Sequence, residues 1–283
     1  MGRAFDFVKF YDSRTTRSRV NVHGSFDAIF ILVFVLGALW GSFANVVIYR
    51  LPKNLSVVRP RSHCNACKKM IAWYDNIPLF SWFILRGKCR HCGARFSIRY
   101  VLVEWLMAIL FGCVYLKVGW SYLLLEYLIL VFGLVTVSFI DFDNMILPDE
   151  FTLGGIAVGL IGAALNPERH FLPALWGVIL GGGFLWGIAV IYAAIRNREG
   201  MGGGDIKLLA WIGAVLGWTS IPFVIICASL VGSLVGLALV LKDRRGMNYA
   251  IPFGPYLSLA AILYLFFGRA LSLAYIHMFI PSL

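Results

Sequence analysis

The chain has 283 residues, and 60% of them are Ala, Val, Ile, Leu, Met, Phe, Trp, Tyr or Cys, against roughly 45 to 50% apolar residues in soluble domains. That excess excludes an ordinary soluble globule, and at about 20 apolar residues per crossing it suffices for about eight membrane helices. The formal net charge of +11 fits basic cytoplasmic loops of a membrane protein, so no nucleic-acid partner is expected.

In chain order, residues 1–27 form a basic arm with Arg3, Lys9, Arg14, Arg17 and Arg19. The first apolar run, 28–49, is too long for the hydrophobic region of a signal peptide and reads as the first transmembrane helix. Residues 50–100 are the one sizeable polar insert. They carry Cys64-x-x-Cys67 and Cys89-x-x-Cys92, with 21 residues between the pairs, a spacing that predicts a tetrahedral zinc site. Four thiolates complete the tetrahedron, although His63 and His91 flank the pairs as substitute ligands. An insert this small has little core of its own, so a structural metal would stabilise it, and thiolate ligands belong on the reducing, cytoplasmic side. Trp73, Phe80 and Trp82 read as its small core or as a surface resting on the bilayer. Residues 101–283 read as the membrane domain. Within them, apolar runs predict helices near 101–117, 121–140, 152–165, 172–194, 207–218, 220–241 and 252–275. Cys113 and Cys227 sit singly in these runs and are expected to be buried, unreactive thiols.

Counting Lys and Arg by alternate loops splits them 17 to 8, which places the insert and the loops near 196–207 and 242–245 in the cytoplasm. Both termini then face outward, a placement that the basic arm itself opposes.

Ionisable groups at a membrane edge are functional candidates, and two clusters share the cytoplasmic side. One is Asp141-Phe142-Asp143-Asn144-Met145-Ile146-Leu147-Pro148-Asp149; the other is Gly202-Gly203-Gly204-Asp205-Ile206-Lys207. Two carboxylates brought together share a proton and can activate a water for attack on a peptide carbonyl. The glycines before Asp205 would let an extended substrate backbone approach, and no Gly-Lys-Ser/Thr follows to make a phosphate cradle. Asp149, after Pro148, reads as a helix cap and Asp143 as a solvated loop acid.

These residues, with Gly41 to Pro52, Asn76-Ile77-Pro78, Leu85 to Arg90, Arg99-Tyr100 with Glu104, and Pro252-Phe253-Gly254-Pro255, resemble the type 4 prepilin peptidases, also called leader peptidase/N-methyltransferases. The resemblance runs from about residue 41 to 260 and implies an all-α, eight-helix aspartyl protease of the GxGD class. Such an enzyme sits in the inner membrane and cuts the basic leader from type IV prepilins or type II secretion pseudopilins at the cytoplasmic face. Carried onto this chain, Asp141 and Asp205 are the catalytic pair, Gly202, Gly204 and Lys207 support the motif, and Asp143 is the fallback acid. The four cysteines match a cytoplasmic zinc-type domain. The resemblance also implies N-methylation of the new N-terminus with S-adenosylmethionine as donor, for which no residue can be assigned from the sequence. Membrane lipid surrounds the chain, and Asp149, Glu150 or Glu104 are expected to help attract a basic leader. Two other classes fit less well: a transporter relaying protons through Asp141 and Asp205, or an assembly factor docking a partner through the zinc domain.

Overall fold

The structure, a computed structural model, describes residues 27–198, 202–243 and 251–279. The arginines and lysine of the N-terminal arm, and Arg244 and Arg245, lie outside the described residues. The helices are α1 (Ala28–Arg50), α2 (Phe80–Ile84), α3 (Arg99–Val118), α4 (Tyr122–Asn144), α5 (Asp149–Leu165), α6 (Phe171–Arg196), α7 (Gly203–Leu216), α8 (Ser220–Asp243) and α9 (Gly254–Phe279). Among the described residues the only β pairing is two isolated bridges, His63 with Met70 and Lys88 with Arg95. The chain is all-helical, as expected. Helices α1, α3, α4, α6 and α8 are long and apolar enough to cross a membrane, which makes this a multi-pass membrane protein.

Helix ends extend beyond the apolar runs where it matters most. Helix α4 continues to Asn144 and α7 begins at Gly203, because backbone hydrogen bonding carries on until a residue turns the chain. At the end of α4 that residue is Met145, with a left-handed φ of 53°. Its N–H donates to the Asp141 carbonyl at 2.8 Å, closing the last turn. Asp141 therefore lies in the final turn of α4 and Asp205 in the first turn of α7, not in loops.

Two apolar cores meet along α4. One packs Met107 and Phe111 of α3 and Val33, Ala44 and Ile48 of α1 against Val131 and Val135. The other packs Leu208, Leu209, Trp211 and Ile212 of α7 and Leu257 of α9 against Leu130, Leu134 and Val137. Over its apolar window α4 is 67% buried, against 11% for α6 and α8, so α4 is the central post and those two face outward. Cys113 follows the same logic. It is exposed on α3 while Cys227 is partly buried, which corrects the expectation of two buried thiols: an apolar run in a membrane protein need not face the protein interior.

The depth of α7 against α4 and α5 is set by Trp211, which is 2% exposed. A Cβ at Gly133 of α4 or Gly155 of α5 would stand 2.0 or 2.2 Å from the indole, so only glycine at both positions opens a slot wide enough for the ring. At the other end of the bundle, Arg169 in the α5–α6 loop pairs with Glu126 of α4 and donates to the Ala214 carbonyl of α7 at 2.5 Å. Asn166 adds a bond to the same carboxylate at 3.1 Å. Lys117 of α3 donates to the Phe266 carbonyl of α9 at 2.9 Å.

Replacing Gly155 by Leu should displace the indole and lower the unfolding midpoint in detergent, with Trp211→Ala costing about 3 to 5 kcal/mol through the cavity it leaves. Glu126→Ala should cost a similar ~3 to 5 kcal/mol, because it strands the buried Arg169 guanidinium. Thermal unfolding of the purified variants measures all three.

Candidate functional site

Four helix ends gather on the side of the bundle that carries the insert. Asp141 is 5% exposed at the end of α4, and its Oδ2 accepts the N–H of Gly254, the first residue of α9, at 2.9 Å. The N–H groups of a helix's first turn have no partner within the helix, so α9 offers Asp141 a donor that no side chain has to provide. Asp205, at the start of α7, interacts electrostatically with Asp141 across this junction. Its Oδ1 is buried and has no hydrogen-bond partner. The structure thus brings together the two acids singled out from the sequence, and leaves one oxygen of the pair free for a proton or a water.

Leu147 holds the junction in place. Added Cβ atoms at Gly204 and Gly254 would lie 2.7 Å and 3.1 Å from its side chain, and the one at Gly254 also 2.6 Å from Asp141 Oδ2. The two glycines belong to α7 and α9, so this leucine wedges between both helix starts, and any larger residue at either would push the acids apart. Gly202 is the residue before α7; an added Cβ there would stand 3.8 Å from Asp205 Oδ2. Pro148 then initiates α5. Asp149 does not cap it: Pro148 is the cap residue, without a side-chain bond, and Asp149 Oδ1 instead accepts from Lys207 Nζ at 2.6 Å. An ammonium within reach is a stronger partner for that carboxylate than a backbone N–H. Both groups are exposed, so the pair contributes little stability but ties α5 to α7 beside the acids.

Asp143 is engaged elsewhere. Arg99 grips it with Nη1 to Oδ1 and Nη2 to Oδ2, both at 2.8 Å, while stacking over Phe139 at 4.8 Å. Glu104 of α3 accepts the Leu79 N–H at 2.8 Å and faces the insert; Glu150 is exposed at the start of α5. The sequence reading quoted Gly254 and Leu147 without giving either a role. The available signal was Gly254-Pro255 before an apolar run, since proline near a helix start marks where free N–H groups lie.

The insert is built around two matching loops. Cys64 N–H donates to Lys69 O and Lys68 N–H to Cys64 O, each at 2.9 Å; Cys89 N–H donates to Ala94 O at 2.8 Å and Gly93 N–H to Cys89 O at 2.9 Å. Lys68 and Gly93 occupy equivalent positions with φ of 59° and 71°. The two loops bring the four sulfurs within 4.8 Å of one another, and Cys64 Sγ and Cys92 Sγ stand 3.8 Å apart. With metal–sulfur bonds of about 2.3 Å a tetrahedron has edges of about 3.8 Å, so the cluster fits a tetrahedral metal ion. The N–H groups of Cys67 and Ala66 hold the Cys64 thiol down at about 6, which favours the thiolate that a metal requires. Neither histidine joins the cluster; His63 Nδ1 instead lies 3.1 Å from the Arg61 carbonyl. Trp73 and Phe80 are 72% and 65% exposed and form no core, whereas Trp82 is half-buried against Gly87.

Two family models match the chain. The Bacterial Peptidase A24 N-terminal domain covers residues 35–118, and the Type IV leader peptidase family covers residues 128–237, Asp141 and Asp205 included. A relative from Aeromonas hydrophila is 37% identical over 91% of this chain and 97% of its own. The chain belongs to the type IV leader peptidase family. The Aeromonas protein is named prepilin leader peptidase/N-methyltransferase, and so are relatives from Neisseria gonorrhoeae, 38% identical over 81% of this chain and 87% of theirs, and Myxococcus xanthus, 42% identical over 78% and 67%. No solved structure matches. Among leader peptidases of this family, this chain's first matched segment spans α1, the cysteine insert and α3, and its second spans the helices that carry both acids.

A cysteine-to-serine change at Cys64 or Cys89 should abolish stoichiometric bound metal in the purified protein, read by metal analysis. Lys68→Gly should leave metal content intact, because glycine takes the left-handed conformation without a Cβ clash.

Proposed function

We propose that this chain is a membrane aspartyl endopeptidase that removes the basic leader of type IV prepilins or type II secretion pseudopilins and then N-methylates the new N-terminus. The observation that carries the peptidase reading is the meeting of Asp141 and Asp205, from the end of α4 and the start of α7, with Gly254 N–H fixing the first and Oδ1 of the second unpartnered. Two carboxylates in one site share a proton: one takes a proton from a water as it attacks the scissile carbonyl, the other protonates the leaving group. The shared proton is assigned to Asp205, since Asp141 already accepts from Gly254. Gly202 and Gly204 keep the approach to Asp205 free of side chains, and Lys207 anchors α7 to α5 through Asp149.

The membrane context follows from the same assignment. Eight crossings, with α5, α7 and α9 added to the five helices α1, α3, α4, α6 and α8, put the insert, the acid pair and most of the Lys and Arg on the cytoplasmic side of the inner membrane. A pilin precursor is an apolar helix with a cationic leader on that side, so its scissile bond reaches the pair by lateral diffusion. Zinc on Cys64, Cys67, Cys89 and Cys92 would hold the insert together and supply no step of the cleavage. S-adenosylmethionine is the methyl donor in this reading. A transporter is disfavoured, because the acids sit at one end of the bundle rather than at mid-depth.

Detergent-purified protein should cut a basic-leader prepilin, and Asp141→Asn and Asp205→Asn should each lower the rate by roughly 10²-fold or more without changing zinc content. Asp143→Asn should retain most activity, because Arg99 already occupies that carboxylate. Full activity in either of the first two variants would refute the catalytic assignment.

A further inference from the structure

Helix α8 is largely unburied, and the half of it nearer the acids borders a groove. A cavity of about 540 Å³ runs between α8 and the segment that leads into α9, lined by Ser229, Gly232, Ser233 and Gly236 on one side and by Phe253 and Tyr256 on the other. An added Cβ at Gly232 would stand 3.3 Å from the Tyr256 ring, and one at Gly236 would stand 3.2 Å from the Ile251 side chain. Larger residues at either position would therefore close the groove. The same two contacts set Leu234 level with Gly254, whose N–H holds Asp141. The groove thus starts beside the acid pair and runs along α8 into the bundle, reaching Ser229 about 7.5 Å below that level.

The two flanks of the acid pair differ in polarity. On the α8 side, Leu230, Leu234, Leu237 and Leu241 are exposed, and the helix stays apolar through Leu241, about 10 Å past the level of Gly254. On the α3–α5 side the Arg99–Asp143 and Lys207–Asp149 pairs stand exposed at the same end of the bundle, with Glu150 beside them. Within the groove, the exposed hydroxyls of Ser229 and Ser233 make no hydrogen bond among the described residues. A hydroxyl without a partner is costly in an apolar medium. An acyl chain leaves it unsatisfied, whereas a second helix brings polar groups within reach, and two serines one turn apart are small enough for that helix to pack closely.

We propose that this groove docks the apolar helix of the prepilin, laying the stretch just after the scissile bond along Ser233 and Ser229. The inference rests on the peptidase reading. A leader substrate is two-sided, a cationic segment followed by an apolar helix, and the surroundings of the acid pair divide in the same way. The apolar helix meets the groove on the α8 side, and the leader lies on the flank that carries Asp143, Asp149 and Glu150. Phe253 lines the groove and Gly254, the next residue, holds Asp141, so the docked helix and the reacting carboxylate are positioned by one short segment. The bond that reaches the acids is then chosen by its distance from the apolar helix, not by its distance from the start of the leader.

The test uses the full-length protein in lipid vesicles with a full-length prepilin. A photo-crosslinking amino acid is placed at Ser233, and for comparison at Leu153 on the exposed face of α5, in an Asp205→Asn background that leaves the prepilin uncut. Position 233 should give an adduct that maps to the apolar helix of the prepilin, and position 153 should give none. In the otherwise native protein, Ser233→Trp fills the groove and should lower kcat/KM for prepilin by about tenfold or more, with the loss falling on KM rather than kcat. Ser229→Trp should act in the same direction, and metal content and the unfolding midpoint check that both variants fold. If the wild type cuts prepilin but position 233 gives no prepilin adduct, captures only lipid or a second copy of the chain, or labels no better than position 153, the docking assignment is overturned while the peptidase reading stands. Unchanged KM in both folded tryptophan variants overturns it as well. If the wild type does not cut prepilin at all, the peptidase reading and this inference fail together.

Discussion

The acid pair depends on a slot no wider than an indole ring. Asp205 reaches Asp141 only if α7 lies at one depth and rotation against α4, and what sets both is Trp211 entering the gap that Gly133 and Gly155 leave open. Apolar packing in a bilayer has no hydrophobic driving force between helices, so close contact of small residues must do the orienting. Here a large ring against two missing side chains supplies that contact. Leu147 repeats the device nearer the acids, where Gly204 and Gly254 leave room for it. Two such wedges at different depths on α7 prevent it from rotating, which a single contact could not.

Much of this was legible in the residues. The apolar runs located every long helix, because the membrane demands an uninterrupted apolar length, and the two CxxC pairs announced their cluster because thiolate spacing is set by the ligand loop itself. Asp141 and Asp205 could be singled out since a carboxylate beside a membrane helix is costly unless used. What could not be read was the partner of each polar group. Asp149 looked like a cap and proved to be held by Lys207, and Asp143 looked free and proved to be gripped by Arg99. Those outcomes depend on which helix ends become neighbours, a property of tertiary packing. The helix limits shifted for a related reason: hydropathy marks where polar side chains begin, whereas Met145 shows that the backbone coils on until a residue takes the left-handed turn. Cys113 was misjudged because apolar sequence does not distinguish a neighbouring helix from lipid.

The insert shows how a short polar segment can be ordered without a core. Each loop closes on its own cysteine through the same pair of backbone hydrogen bonds, and the loops face each other so that four sulfurs converge. Asp75 and Arg90 add a paired contact from the loop leading to α2 to the second knuckle, and the guanidinium of Arg90 holds the Asp75 carboxyl below its usual range. With its aromatic residues largely at the surface, the insert leans on the ends of α1 and α3, and the space left between them is a product of that lean.

Helix α7 has 14 residues and so rises only about 21 Å, short of a hydrocarbon layer of about 30 Å. The last carbonyls of a helix have no partner within it, and here Arg169 donates to that of Ala214 while Glu126 balances the charge. A segment this short, with Asp205 and Lys207 in its opening turns, is a poor candidate for entering the bilayer by itself. Its end is satisfied only with Glu126 of α4 and the loop bearing Arg169 in place beside it. The helix is therefore not self-sufficient: side chains from two other elements complete its far end. Asp205 thus rides on a helix that is held at both ends by its neighbours, by Lys207 and Asp149 near the acids and by Arg169 and Glu126 at the far end.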